Sequence, residues 1–148
     1  MYSYTYDEET GGILLNSTPT VFSKEPRPVY APELDLLGFD KYWKYDKQSD
    51  VPYMWAESVQ YWYRGKQVAK LKGGNLYEAP EIIIPEDSEG NPVQPEPNGG
   101  TLRPVDIEGM VNKNLDLLDI IENTTVKKIV AIYEKYKSKL DIFHVAFS

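Results

Sequence analysis

The chain has 148 residues, 41% hydrophobic and 26% charged, with a net charge of −7 and no cysteine. That length suits one domain with a core, or a small domain joined to part of another. The acidity opposes binding to duplex DNA and to anionic membranes, and the lack of cysteine excludes disulfides, thiolate catalysis, cysteine-ligated zinc and iron–sulfur clusters.

The opening "MYSYTYDEET" has neither the basic nor the apolar region of a secretory signal. No apolar run approaches the ~20 residues that span a bilayer, so the expectation is a cytoplasmic protein without a membrane partner. Tyr2 to Tyr6 alternates aromatic and polar residues, an acidic turn with Gly11 and Gly12 follows, and Ile13, Leu14 and Leu15 resume the apolar pattern. This predicts a β-hairpin. Pro26, Pro28 and Pro32 then impose an extended crossing segment, because proline is excluded from helix and sheet interiors. "PELDLLGF" reads as a short helix closed by Gly38.

Residues 42–63 hold all three Trp and much of the Tyr. Within and after this cluster, "SVQYWYRGKQVAKLKGG" is the clearest hairpin, with Arg64-Gly65 as its two-residue turn. In that register Val59, Tyr61 and Tyr63 share a face with Val68, while Trp62 lies opposite Gln67 and Ala69 opposite Gln60. "APEIIIP" adds a short apolar strand. Residues 86–100, rich in proline and glycine, have almost nothing to bury and read as a mobile linker.

From about Pro104 to Leu140 apolar residues recur at spacings of three and four, the pattern of an amphipathic helix. Acids load its first half and lysines its second, complementing the helix dipole, and "ENTT" at 122–125 is an expected break. "DIFHVAFS" then reads as a buried parallel strand, beyond whose carboxyl end ligands bind in open α/β sheets.

Few residues carry chemistry on their own. His144 and Ser148 are four apart on a strand, roughly 13 Å, too far for a nucleophile–base pair. The carboxylates are scattered, which leaves no metal-ligand spacing. The aromatic cluster offers an interface through Trp43, Trp55, Tyr61, Trp62, Tyr63, Arg64 and Lys66. Aromatics beside cations can stack bases and hold phosphates, whereas a small β-domain needs the same rings for its core.

"VAFS" after an amphipathic helix resembles the first strand of the PP-loop superfamily, whose fingerprint continues Ser-Gly-Gly-Lys-Asp-Ser. The stretches "ETGGILL", "FSKEPRPVY", "ELDLLGFDKYW", "YMWAE", "YWYRGK", "GGNLYEAPEI" and "LRPVDIE" resemble the N-terminal extension of bacterial and phage proteins similar to phosphoadenosine phosphosulfate (PAPS) reductase. The resemblance covers essentially the whole chain. In that family the loop holds the phosphate or phosphosulfate group of ATP or PAPS by backbone amides and a lysine. Ser148 matches the first serine of that loop and is the one implied cofactor-binding residue. The cysteine that takes the sulfonate in PAPS reductases is absent, and so is the cysteine-rich metal module of some relatives.

The resemblance thus implies a parent in sulfur metabolism that handles nucleotides, an oxidoreductase or transferase. It implies no catalytic and no metal-binding residue in this chain. The expected fold class is α+β: a small antiparallel β-rich domain with a short helix, followed by a long amphipathic helix and one apolar strand that would begin a PP-loop α/β domain. The expected domains are residues 1–98, with the linker from about 86, and residues 99–148. The implied partner is the rest of the catalytic domain in cis. A protein partner on the aromatic cluster and a homodimer through the C-terminal strand are further options. The alternative function is a self-sufficient protein- or nucleic-acid-binding module using the aromatic cluster.

Overall fold

In the computed structural model, which describes residues 2–19 and 24–146, the alternating tyrosines form strand β1 (Tyr2–Tyr6). It pairs antiparallel with β2 (Ile13–Pro19). Their loop closes through Asp7, whose amide donates to Gly12 O and whose carbonyl accepts from Gly11 N. Gly11 takes a φ of +73°, which glycine adopts without steric cost.

A five-stranded antiparallel sheet follows in the order β3 (Arg27–Val29), β4 (Met54–Glu57), β5 (Gln60–Tyr63), β6 (Lys66–Lys72), β7 (Glu81–Ile83). Pro28 is tolerated because β3 is an edge strand. Helix α1 (Ala31–Leu37) ends at Gly38, which has the expected left-handed conformation.

The β5–β6 turn forms as expected, with Arg64 and Gly65 both at positive φ. Trp62 does face Gln67, but Ala69 pairs with Tyr61 rather than with Gln60. Val68 is the extra residue of a bulge, and the bulge leaves both Val68 and Ala69 buried. Val59 sits in the β4–β5 turn and is exposed, so it leaves the shared face.

Strand alternation gives the sheet two unlike faces. Met54, Ala56, Tyr61, Tyr63 and Val68 join the core with Leu34 of α1, Phe39 and Trp43. Trp55, Glu57 and Trp62 meet the β1–β2 hairpin: Trp55 Nε1 donates to Gly11 O at 2.9 Å, and Tyr6 stacks on Trp62 with centroids 5.7 Å apart. The sheet is therefore covered on both sides, which is what lets so small a unit bury its aromatics.

Residues 86–100 depart from the expected linker. Asp87 accepts from the amides of Glu89 and Asn91, Val93 N donates to Pro85 O, and Pro95 is buried. Leu102 and Val105 are buried as well, tied by Leu102 N to Lys44 O at 2.7 Å and Val105 N to Pro52 O at 2.8 Å. The chain divides into Met1–Lys113 and Asn114–Ser148, so the first unit runs past the expected boundary at 98 to include α2 (Ile107–Lys113). Two buried apolar residues beyond the polar loop hold that segment together with backbone bonds such as Asp106 N to Thr10 O at 2.8 Å.

The second unit is built on α3 (Leu115–Tyr136). The helical pattern breaks at Asn114, which has a non-helical ψ of 5°, and not at 122–125. Thr125 lies within the helix, its hydroxyl turned back to donate to Ile121 O at 2.8 Å. The expected C-terminal strand is absent over 142–146, which pair with no other strand among the described residues. Those residues turn back so that Phe143 meets Tyr133, ring centroids 5.4 Å apart. A β-ladder needs a partner to satisfy its backbone, and none of the described strands supplies one. Among the described residues, no helix is long and apolar enough to cross a membrane.

Candidate functional site

The seven residues singled out by sequence lie in the first unit and divide by depth. Trp43 is buried flat against Phe39, with centroids 4.7 Å apart. Trp55 is buried under the hairpin. Tyr61 is buried with its hydroxyl donating to Glu33 Oε1 at 2.9 Å, and burial together with that carboxylate raises its pKa to about 12. Trp62 is half-buried beneath Tyr6. The faces on which a base would stack are thus occupied by protein side chains.

Tyr63, Arg64 and Lys66 differ, because they cluster at the β5–β6 turn beside residues from the polar loop. Tyr63 donates its hydroxyl to Glu96 and accepts from Arg103 N at 2.9 Å. Burial first, and Glu96 second, push the Tyr63 pKa up. Glu96 also takes Arg103 Nε at 2.8 Å. Burial alone would raise the Glu96 carboxyl, but the Tyr63 hydroxyl and Arg103 outweigh it and hold the group below the ordinary range.

Arg64 points inward from the turn. Its Nη1 donates to Glu8 O at 2.7 Å and Glu9 O at 2.8 Å, and its Nη2 to Pro104 O at 3.2 Å. One side chain thereby joins the β1–β2 loop, the sheet and the segment before α2. A Cβ added at Gly11 would come within 3.2 Å of the guanidinium, so glycine there makes room for it. Lys66 is exposed at the rim. Around these residues lies a cavity of about 190 Å³.

Sequence reasoning missed Glu96 and Arg103, since both lie in or beside a segment that reads as linker. It also missed Glu57, which accepts hydroxyls from Tyr4 at 2.5 Å and Tyr6 at 2.7 Å. Nothing in the local spacing marks these partners, which are 33 or more positions from the tyrosines they meet.

In the second unit, His144 helps line an apolar hollow of about 320 Å³ with Ile129, Ile132, Tyr133, Phe143 and Val145. Ser148 lies outside the described residues. Among the described residues, no group of His, Asp and Glu side chains is arranged to hold a metal ion. No protein-family model matches the sequence, and neither a curated protein nor a solved structure matches it.

Proposed function

We propose that this chain is the N-terminal part of a PAPS-reductase-like, nucleotide-handling protein, and that it is not catalytic alone. The first unit acts as an accessory module. The second belongs to a PP-loop domain whose remainder covers it in cis. The parent binds ATP or PAPS in the cytoplasm and transfers an adenylyl or sulfonate group.

The observation that supports this reading is the surface of the second unit. Helix α3 buries none of its residues, and Val126, Ile129, Val130 and Ile132 are each more than half exposed. Beyond it Ile142 is 69% and Val145 74% exposed. An amphipathic helix gains its stability from burying an apolar face, so a surface of this kind suits a layer packed on it. The motifs that resemble the extended PAPS-reductase-like proteins supply the identity of that layer.

Two measurements test the reading. The coding sequence past codon 148 is expected to continue in frame with Gly-Gly-Lys-Asp-Ser; any other continuation overturns the assignment. Titration of the chain with ATP and with PAPS, followed by amide shifts, is expected to show no saturable binding in the micromolar range, and saturation there would sink the claim that the chain is inactive alone.

A further inference from the structure

The turn at Arg64 leaves a charge whose partner is only half supplied. The Arg64 residue is 8% exposed, and the acceptors of its hydrogen bonds are backbone carbonyls. Among the described residues no carboxylate oxygen lies within 4.0 Å of it. The carbonyls satisfy Nη1 and Nη2 while the buried Nε has no partner, and Glu96 feels the Arg64 charge only from beyond ion-pair distance, so the cation still bears part of the cost of lost hydration.

The cavity beside it carries Lys66 and Arg103 on its lining, and on the acidic side Glu8 and Glu96. Glu96 is committed to Arg103 and to the Tyr63 hydroxyl, so that pair is close to neutral. Glu8 engages Arg64 through its backbone oxygen, and its side chain is exposed at the edge. Lys66 has no ion pair among the described residues. The lining therefore keeps an excess positive charge on a chain whose net charge is −7. Its 190 Å³ corresponds to roughly six waters at liquid density, ample for a tetrahedral anion.

We infer that this cavity is an oxyanion site, taking a phosphate or sulfate group either as the free ion or carried on a small molecule. Lys66 and the outer nitrogens of Arg103 contact the oxygens, and the Arg64 charge behind them favours the anion through a low-dielectric wall. The site belongs wholly to the first unit and does not rest on the reading of the second.

The experiment titrates the full chain at constant ionic strength with inorganic phosphate, inorganic sulfate and adenosine monophosphate in parallel, against chloride. The readout is the Nε–Hε resonances of Arg64 and Arg103. A saturable shift with the oxyanions and none with chloride is expected, weakened about tenfold by Lys66→Glu and hardly changed by Lys70→Glu, which makes the same charge change farther along β6. Tighter binding of the monophosphate assigns the anion to a small molecule, and equal binding assigns it to the free ion. Shifts that fail to saturate, or equal losses in the two lysine variants, overturn the site.

Discussion

The two units spend similar side chains differently. In Met1–Lys113, aromatic and aliphatic residues lie between a hairpin on one side of a sheet and a helix on the other, and even the hydroxyls of Tyr6, Tyr61 and Tyr63 have partners. In Asn114–Ser148, a 22-residue helix carries Ile, Val and Tyr at comparable density and buries none of them. The difference is a second layer. An apolar face stabilises only when something covers it, so the first unit holds its own core and the second presents one.

The sharpest way to break that comparison is to remove a large core ring. Tyr61→Ala takes away both the contact with Phe39 and the bond to Glu33, and should cost the first unit about 4 kcal/mol in urea unfolding. Tyr61→Phe, which loses the hydroxyl alone, should cost about 1 kcal/mol. Equal losses would mean that the hydrogen bond, and not packing, holds the face together.

Acid offers a second probe. Asp7 is raised by burial but lowered further by Lys113 and Thr10, to about 2, below its value of about 3.9 in an unfolded chain. A depressed carboxyl contributes stability that is complete above the unfolded value and lost as pH falls through the folded one. The first unit should therefore lose stability between about pH 4 and pH 2, and Asp7→Asn should flatten that part of the profile. An unchanged profile in the variant would assign the acid sensitivity to other carboxylates.

The smallest expected effect falls in the second unit. Ile132→Lys replaces a half-exposed side chain and should shift stability by no more than about 0.5 kcal/mol. Amides of α3 should exchange with solvent far faster than those of β5 and β6. Strong protection of α3 in the isolated chain would show that the helix is already covered, and the contrast between the units would disappear.

Much of the fold was legible from local chemistry. Tyr-Arg-Gly-Lys set the tight turn, Gly38 closed α1, and the spacing of apolar residues announced the long helix. The Val68 bulge was not legible, because a strict alternation of period two carries no mark of an inserted residue. Nor was the ordering of residues 86–100, whose composition has little to bury. That segment is held by Asp87 capping its own turn and by Glu96 reaching Tyr63 and Arg103. The candidate interface was legible as a cluster of aromatics, but its orientation was not: four of the seven residues proved to be buried rings, a fifth a buried guanidinium.

By itself the amino-acid sequence excluded thiol chemistry and determined the tight turn at Arg64-Gly65 and the end of α1 at Gly38. Each of these depends on the conformational limits of a residue and its neighbours within about four positions. Only the tertiary structure decided which face of the sheet each ring would enter, that Arg64 would point inward, and that Glu96 and Arg103 would meet at its side. Those outcomes depend on contacts between distant segments, whose free energy is shared among many partners and written in none of them singly.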